Sequence, residues 1–300
     1  MAATTDPASP SYVAPSERIA VFDNDGTLWS EQPVYFQLSF ALDYAQTQLA
    51  KSPAPSWASR PWATRLKKEG PAAAAKFDEK TLLEIVGVSE AQEAEAYRAA
   101  VADWFARARH PRFERRYDQL TFAPMVSLLG YLRERGYKTF IVTGGSLWFV
   151  RAFAEEAYGV PPEQVVGTTL GEKYELQQGR GVVTGDGKLT FVDDGPGKPV
   201  GIHRAIGRRP IIAVGNSDGD REMLEYTTTQ AGRPTLGILV HHDDPEREWA
   251  YDRASPIGRL DKALDQVPTA NWLLVSMKDD FEAVYEPAPT PVSLGYPGSP

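Results

Sequence analysis

The most informative segment of the chain runs Val21-Phe22-Asp23-Asn24-Asp25-Gly26-Thr27-Leu28-Trp29. Residues 18–22, which overlap the start of this segment, have the length and apolar content of a buried strand, and the polar residues that follow favour a turn. Because side chains alternate along an extended chain, Asp23 and Asp25 can point the same way while Asn24 points elsewhere. Gly26 lets the chain turn at once and leaves backbone N–H groups free to face an anion. The segment predicts two carboxylates where a core strand opens into a cleft.

Two ordinary interpretations compete with a catalytic one for this acidic turn. A simple β-turn at a strand end also favours Asp and Gly. A calcium loop of the EF-hand type starts in a similar way, but it needs Glu at its twelfth position, where this chain has Val34. Turn chemistry alone therefore leaves the catalytic and the β-turn interpretations open.

Composition limits the class of protein and its partners. The 300 residues are 42% hydrophobic, which is enough for one large domain or for a core with a smaller insertion. A formal charge of −8 argues against nucleic acid or an anionic membrane as the main partner, because both favour excess Lys and Arg. The absence of cysteine excludes disulfides, thiolate nucleophiles and Cys-ligated zinc.

The two ends of the chain differ in composition from the rest. Residues 1–16 are rich in small residues and proline and lack the apolar core of a signal peptide, so we expect a flexible leader. Residues 287–300 contain five prolines and no apolar periodicity, which predicts a flexible tail. The sequence leaves both the cytoplasm and the periplasm open as compartments, and it does not give the oligomeric state.

Residues 31–115 are predicted to form a mostly helical insertion. A helix is expected to about residue 50, and the proline-rich residues 51–63 are expected to form a loop. Residues 72–86 again have a helical pattern. Ser89-Glu90-Ala91-Gln92 has the spacing of a capping box ahead of a further helix that extends to about residue 108.

The remainder of the chain alternates strands with helices. The predicted strands are 137–142, 163–169, 210–214, 236–240 and 272–275, with a hairpin over 172–194 whose turn is placed at Gly185-Asp186-Gly187. Helices are expected over 124–135, over 147–158 and after Gly197. This alternation predicts an α/β fold with a Rossmann-like, mostly parallel sheet, in which ligands bind at the carboxyl ends of the strands.

Three predicted strands each end in a small polar turn. The turns are Asp-Asn-Asp-Gly-Thr at 23–27, Thr-Gly-Gly-Ser at 143–146 and Gly-Asn-Ser-Asp-Gly-Asp at 215–220. They would converge on one cleft and supply carboxylates for a nucleophile and a hard cation, with hydroxyl and glycine N–H groups for phosphate oxygens. Lys198, between Gly197 and Pro199, is placed to add a positive charge.

With these motifs, in this order, the sequence resembles the haloacid dehalogenase (HAD) superfamily, and within it the phosphoserine-phosphatase-like branch. The resemblance covers roughly residues 18–280. Residues 23–27 match the first motif, Thr143-Gly144-Gly145 the second, Lys198 the third and residues 215–220 the fourth. It implies a catalytic core made of residues 17–30 and 116–286, with residues 31–115 as a helical cap inserted after the first strand.

The resemblance also implies a Mg²⁺-dependent phosphatase that works through an aspartyl-phosphate. Asp23 would attack phosphorus, and Asp25 would protonate the leaving oxygen and later accept a proton from water. Mg²⁺ would be bound by Asp23, the backbone carbonyl of Asp25 and the fourth motif. Thr143, with the glycines beside it, and Lys198 would hold the phosphoryl oxygens. An acid at position 25 disfavours dehalogenation, because a departing halide needs no proton.

One position departs from the family pattern. Relatives with phosphatase activity usually carry Asp directly after the first glycine of the fourth motif, where this chain has Asn216. An amide oxygen can bind Mg²⁺ without contributing charge, so Asp220 or, less favourably, Asp218 would supply the acid. We expect weakened metal affinity and retained activity.

Specificity is expected to depend on the cap. Residues 107–116 form a basic cluster in an acidic protein, and Arg109 or Arg112 would contact an anionic substrate. The alternative is a solvated helix end with cations near its negative pole. Glu31 would either meet a substrate ammonium, as an acid in this region does in phosphoserine phosphatases, or act as a hinge residue of the cap.

The sequence therefore favours a capped phosphomonoesterase that acts on a small phosphorylated metabolite, phosphoserine-like or another small monoester. Two alternatives stay open: a phosphoryl transferase or phosphomutase with the same intermediate, and a non-catalytic protein that binds phosphate or metal.

Overall fold

The computed structural model describes residues 2–286 of the chain. The predicted tail, residues 287–300, lies outside the described residues. An eight-stranded sheet forms the centre of the fold, and its strands are β1 Ile19–Phe22, β2 Lys138–Ser146, β3 Val165–Gln177, β4 Arg180–Phe191, β5 Ile212–Gly215, β6 Leu236–Asp243, β7 Ala250–Tyr251 and β8 Leu273–Ser276. The strand order is β4-β3-β2-β1-β5-β6-β7, with β8 paired to β6.

Most of the sheet is parallel. The pairs β1–β2, β1–β5, β2–β3, β5–β6 and β6–β8 all run parallel, and antiparallel pairing is confined to β3–β4 and β6–β7. The predicted mostly parallel α/β sheet is confirmed.

Helices surround the sheet and fill the segment between its first two strands. They are α1 Ala2–Thr5, α2 Phe36–Leu49, α3 Pro61–Glu69, α4 Glu79–Glu90, α5 Ala94–Arg107, α6 Ala123–Glu134, α7 Leu147–Arg151, α8 Ala154–Tyr158, α9 Gly197–Ala205, α10 Arg221–Thr228, α11 Lys262–Ala270 and α12 Met277–Asp280. Helices α2 to α5 belong to the predicted insertion, residues 31–115, and α6 lies between this insertion and β2. Within residues 2–286, none of these helices has both the length and the hydropathy that a membrane span requires.

Strand β1 is covered on both faces, which explains its continuous apolar sequence. Ala20 and Phe22 join a cluster that includes residues of α5 and α6, while Ile19 and Val21 join a second cluster that includes residues of α9 and α10. Phe22 lies opposite Ile141 of β2 and Val214 of β5. The carboxyl ends of β1, β2 and β5 therefore lie side by side, which brings the three predicted polar segments to one edge of the sheet.

The insertion differs from the prediction at its helix boundaries. The capping box predicted at residues 89–92 is wrong, because Ser89 and Glu90 form the last turn of α4 and the Ser89 hydroxyl donates to the Val86 carbonyl. Helix α5 starts only at Ala94. The predicted loop is shorter than expected, since α3 begins at Pro61 within it. The helix predicted over 72–86 is split into a 3-10 turn and α4, which begins after Asp78 caps the N–H of Thr81.

The hairpin turn was also misplaced. Strands β3 and β4 are joined at Gln178-Gly179, where both residues have positive φ, whereas the predicted turn residues 185–187 lie inside β4 at a register shift. The glycines there serve a contact with the insertion instead. A Cβ atom on Gly87 of α4 would lie 2.3 Å from the Gly187 carbonyl oxygen, so these two backbones approach as closely as they do because neither residue has a side chain.

Substitution at this contact tests whether the close packing of α4 on the β3–β4 hairpin is needed for the activity that the family resemblance implies. Gly87→Ala is expected to lower kcat/KM by about tenfold or more, because the methyl group must push α4 away from β4 and open the cleft between them. Gly130→Ala is the matched control, since Gly130 is also helical and an added Cβ there meets nothing within 4 Å. It should keep full activity and gain up to roughly 1 kcal/mol of stability. Equal activity of the two variants would contradict this role of the contact.

Residues 2–16, predicted to be a flexible leader, pack against the core in this structure. Val13 is 4% exposed, and its carbonyl accepts a hydrogen bond from Nε of Arg18. The Thr4 hydroxyl lies 2.6 Å from the Tyr137 hydroxyl. Val13 is the apolar residue that packs this segment against the core. The average composition of residues 1–16 does not reveal the effect of one such residue.

Candidate active site

The acidic turn after β1 presents its residues as the alternation predicts. The Asp23 N–H still pairs with the Val214 carbonyl, and the Asn24 carbonyl accepts from the N–H groups of Thr27 and Leu28 to close the turn. The Asn24 side chain points into the core, where it accepts a hydrogen bond from the Tyr158 hydroxyl. Asp23 and Asp25 both line the cleft.

Lys198 forms the electrostatic centre of the site. It lies in the first turn of α9 and is 1% exposed, with Nζ 2.5 Å from Asp23 Oδ1, 2.8 Å from Asp220 Oδ1 and 2.8 Å from the Val142 carbonyl. Burial alone would lower the pKa of Lys198, but Asp220 and Asp23 together raise it above its usual range, so the ammonium stays charged. Burial and the nearby Asp220 raise the pKa of Asp23, although Lys198 opposes this.

Asp25 occupies a different environment from Asp23. It is partly exposed to the cleft, and its Oδ1 accepts a hydrogen bond of 2.8 Å from Nε1 of Trp29. Trp29 is fully buried and stacks on Phe153. Burial raises the pKa of Asp25 to about 6 against the opposing effect of the Trp29 hydrogen bond. The tryptophan holds one carboxylate oxygen and leaves Oδ2 facing the cleft.

The second motif is part of strand β2 and not a free turn. Thr143 is fully buried, and its Oγ1 accepts a hydrogen bond from the Gly145 N–H. A Cβ atom on Gly145 would lie 3.6 Å from Asp25 Oδ2, which places this backbone next to the acid. Gly144 and Gly145 line the cleft. Gln37 of α2 supports the same segment, since its Oε1 accepts from the Ser146 N–H.

In the fourth motif the two aspartate side chains make different contacts. Asp220 Oδ2 accepts from the N–H groups of Asn216 and Ser217, which directs Oδ1 towards Lys198. Asp218 accepts from the N–H groups of Asp261 and Ala263 at the start of α11. Asp218 therefore caps a helix, and the weaker suggestion that it supplies an acid to the metal is wrong.

Glu31 lies beside Asn216 inside the site. Its Oε1 accepts hydrogen bonds from Asn216 Nδ2 at 2.9 Å and from the Tyr251 hydroxyl at 2.7 Å, and it is 2% exposed. Asn216 Oδ1 in turn accepts from the Thr27 hydroxyl. Burial raises the pKa of Glu31 well above its usual range, with smaller contributions from the charges of Asp25 and Asp23. A carboxylate is therefore held next to the position where the family pattern lacks one.

Comparison with known proteins agrees with this geometry. A family model described as haloacid dehalogenase-like hydrolase matches residues 20–225, which include most of the first strand and all four motifs. The chain belongs to this family of hydrolases. No curated protein sequence matches the chain significantly.

Several solved structures are similar to this HAD hydrolase. A protein of unknown function from Bordetella pertussis Tohama I is 16% identical, with 86% of this chain and 98% of that chain covered and a TM-score of 0.52. A conserved, functionally unknown protein from Anaerococcus prevotii DSM 20548 is 17% identical, with 80% and 82% covered and a TM-score of 0.50. A phosphoserine phosphohydrolase-like protein from Francisella tularensis subsp. tularensis SCHU S4 is 18% identical, with 75% and 88% covered and a TM-score of 0.37. At such identities the first two likenesses show a shared fold.

Two predicted substrate-binding residues lie elsewhere in the HAD hydrolase. The Arg109 guanidinium donates to the carbonyls of Ala106 and Ala108 at the end of α5. Arg112 donates to the carbonyls of Pro245 and Glu246 and lies 4.4 Å from the centre of the Trp249 ring. Neither lines the cleft. The assignment of Arg109 and Arg112 to the substrate is therefore corrected, and for Arg109 the alternative of a cation at a helix end describes the structure.

Some residues of the site gave no clear signal in the sequence. Tyr251, Gln37 and Glu90 meet the motifs only through long-range packing. His242 of β6 is 2% exposed, with Nε2 2.7 Å from the Gly26 carbonyl oxygen and Nδ1 3.1 Å from Glu248. The only available signal was that one of two adjacent histidines on a strand must point inward.

The buried contacts of Glu90 can be tested through the dependence of protein stability on pH. Its Oε1 lies 3.4 Å from both Gln37 Nε2 and the Tyr97 hydroxyl, and burial raises its pKa from 4.5 to about 7, with a further contribution from Glu172. The native state therefore keeps a proton that the unfolded state loses above about pH 4.5. The contribution of this carboxyl to stability is complete below that pH and is lost as the pH rises to about 7, by at most roughly 3 kcal/mol.

Glu90→Gln should remove this pH dependence, because the amide keeps the shape and does not titrate. We expect urea unfolding at pH 5, 6, 7 and 8 to show that the variant gains stability relative to the wild type as pH rises. Parallel pH profiles for the two proteins would contradict the assignment.

The site residues fit a magnesium ion. Asp23, Asp220 and Glu31 are buried and Asp25 is partly buried, yet Lys198 is the only cationic side chain that lines the cleft among residues 2–286. The side chains offer hard oxygen donors, and burial, with a further contribution from the neighbouring acids, raises the pKa values of Asp23 and Glu31. No three acidic or histidine side chains in the described part of the chain form a ready-made metal cluster. Mg²⁺ suits such a site, since it is usually bound by one or two carboxylates together with water and substrate phosphate.

Proposed function

We propose that this HAD hydrolase is a phosphatase that forms an aspartyl-phosphate on Asp23. The observation that carries the proposal is the arrangement at the closed end of the cleft. Lys198 binds one oxygen of the buried Asp23, and the second acid, Asp25, lies beside the Gly145 backbone. A nucleophile, an acid and phosphate-binding groups therefore meet at one edge of the sheet.

In the first step, Asp23 attacks phosphorus through Oδ2, because Oδ1 is held by Lys198. The bond between phosphorus and the leaving oxygen breaks as the new bond to Asp23 forms. Asp25 gives its proton to the leaving oxygen from Oδ2, since Trp29 occupies Oδ1. In the second step Asp25 takes a proton from water, the hydroxide oxygen attacks phosphorus, and the carboxylate of Asp23 is released.

The phosphoryl oxygens would be bound by groups at the end of the cleft that lies on the sheet. Lys198 supplies a fixed positive charge, and Gly144 brings its backbone N–H group without a side chain in the way. The Thr143 hydroxyl supports this backbone by accepting from the Gly145 N–H, and it retains its own proton for donation.

Mg²⁺ would be held by Asp23, the main-chain carbonyl of Asp25 and Asn216, with Asp220 nearby. When bound it would offset the negative charge between the nucleophile and the phosphate. With the metal bound, Glu31 would add the charge that Asn216 lacks, because its carboxyl group is hydrogen bonded directly to the Asn216 amide.

Glu31→Gln is therefore expected to raise the Kd for Mg²⁺ by about tenfold or more. Isothermal titration with Mg²⁺, or displacement of bound Mn²⁺ followed by electron paramagnetic resonance, measures this without turnover. The control is Glu79→Gln, which removes an exposed acid that also lines the cleft. An unchanged Kd in Glu31→Gln would instead favour the sequence-based hypothesis that Glu31 meets a substrate ammonium.

The experiment that tests the function is phosphate release from p-nitrophenyl phosphate and a panel of small monoesters, with Mg²⁺ or with a chelator. Metal-dependent release would support the phosphatase. Transfer of the phosphoryl group to an added alcohol without phosphate release would indicate a transferase or mutase. Binding of phosphate and Mg²⁺ without turnover of any monoester would indicate a non-catalytic binder.

A further inference from the structure

The cleft has a second half that the chemistry does not use. The whole cleft encloses about 400 Å³, which is within the range of small-molecule sites. Asp23 and Lys198 lie at one end, on the sheet. The other end lies between helices α2 and α4 of the insertion and the β3–β4 hairpin, so the part of a substrate that leaves with the oxygen would sit there.

The walls of this second half are apolar. They consist of side chains from the insertion, Leu38, Leu82, Leu83 and Val86, and from the hairpin, Leu170 and Leu189. Leu83 is 52% exposed and Leu189 is 48% exposed, which is unusual for leucine side chains that line a concave site. A ligand in the cleft would cover them and remove their apolar surface from water.

The charged residues around the same space are acids. Glu31, Glu79 and Asp194 line the cleft in addition to the two catalytic acids and Asp220. Among residues 2–286, no arginine, no histidine and no lysine other than Lys198 lines it. Lys198 is already shared between Asp23 and Asp220. A carboxylate or a second phosphate on the leaving group would therefore meet acids without a cationic partner.

From these two observations we infer that the substrate is a phosphomonoester of an alcohol with an apolar body, aromatic or branched aliphatic, and without an anionic group, and not an anionic metabolite such as phosphoserine. This inference rests on the phosphatase function proposed above and specifies its substrate class. It replaces the sequence-based expectation that arginines of the insertion select an anionic substrate.

The test uses three aryl phosphates of nearly equal shape: 4-isopropylphenyl, 4-carbamoylphenyl and 4-carboxyphenyl phosphate. We expect kcat/KM to fall in that order, with at least a tenfold difference between the first and the last. Phenols that carry a carboxamide or a carboxylate are better leaving groups than 4-isopropylphenol. The expected order of kcat/KM is therefore opposite to the order of intrinsic reactivity. Equal or faster hydrolysis of the carboxylate would overturn the inference.

A variant of the wall provides the second arm. Leu189→Lys adds a cation to the lining at an exposed position of β4, and we expect it to improve the carboxylate relative to the isopropyl compound by tenfold or more. Val183→Lys is the matched control, because Val183 is also an exposed apolar residue of β4 but does not line the cleft. The same change in both variants, or in neither, would count against the proposed wall.

Failure of the substrate class can be separated from failure of the phosphatase function. The non-hydrolysable 4-isopropylbenzyl and 4-carboxybenzyl phosphonates report binding even if nothing is turned over. Tighter binding of the isopropyl compound without phosphate release from any ester would support the apolar site and reject the phosphatase. Equal binding, or binding of neither phosphonate, would overturn the apolar site whatever the activity.

Discussion

Asp23→Asn is expected to reduce phosphate release by about a thousandfold or more while the fold is kept. The amide has almost the same shape as the carboxylate, but it is a poor nucleophile and cannot form the covalent intermediate. The variant also removes one of the buried charges around Lys198, so its stability should not fall. Initial rates with saturating Mg²⁺ and thermal unfolding of the same preparation measure both effects.

Asp218→Asn is the matched control for this experiment. Asp218 belongs to the fourth motif, but its carboxylate accepts hydrogen bonds from the start of α11 instead of facing the cleft. An asparagine side chain can still accept these bonds, so we expect near-wild-type activity. Loss of activity in Asp218→Asn together with retained activity in Asp23→Asn would reverse the assignment of the two acids.

Lys198→Met is expected to lower both stability and activity. Its ammonium lies 2.5 Å from Asp23 and 2.8 Å from Asp220, and all three side chains are buried. Removing one partner from a buried ionic group leaves uncompensated charge, which typically costs about 3–5 kcal/mol. We expect a fall in the free energy of unfolding of this size in the absence of metal, measured by urea titration, and a loss of phosphate release of at least a hundredfold.

Two further measurements separate this electrostatic effect from a simple loss of packing. Mg²⁺ should restore part of the stability of Lys198→Met, because it supplies positive charge to the same carboxylates. The double variant Asp23→Asn/Lys198→Met should be more stable than Lys198→Met alone, since one of the two repelling acids is gone. If neither Mg²⁺ nor the second substitution recovers stability, the lysine contributes through its bulk.

The sequence predicted the centre of the fold because local and global signals agree there. The strand at residues 19–22 is apolar on both faces, and its acidic turn follows at once, so strand position and side-chain direction both come from local patterns. The parallel sheet then brings the ends of β2 and β5 to the same edge. Local patterns and sheet topology were sufficient to place Asp23 and Asp25 at this edge, whereas Lys198 was assigned from its Gly and Pro neighbours and from the family resemblance.

The errors occurred where tertiary contacts override local preference. Gly185 and Gly187 have a turn composition, but they lie in a strand because helix α4 packs onto their backbone. Arg109 and Arg112 have the charge that an anion would need, but backbone carbonyls nearby bind them. Some of these contacts join residues that are distant in the chain, and others depend on the direction of a side chain. Neither kind of contact leaves a periodic pattern in the sequence.

Glu31 and Asn216 show the same limit inside the site. The sequence analysis assigned the two residues separately, Glu31 as a substrate contact or a hinge of the cap and Asn216 as a weakened metal ligand. In the structure the two side chains are hydrogen bonded although 185 positions separate them. That contact places an amide and a carboxyl group side by side at the proposed metal position.

The central claim is the covalent intermediate on Asp23, and it can be observed directly. The protein is mixed with a monoester substrate and Mg²⁺ for milliseconds to seconds, quenched in acid, digested at acidic pH and analysed by mass spectrometry. Digestion with pepsin in place of trypsin keeps the sample acidic and preserves the acyl phosphate, and we expect the peptide that contains Asp23 to carry a phosphoryl group before phosphate appears and to lack it in Asp23→Asn. Phosphate release without phosphorylated Asp23 at any time point would contradict the account.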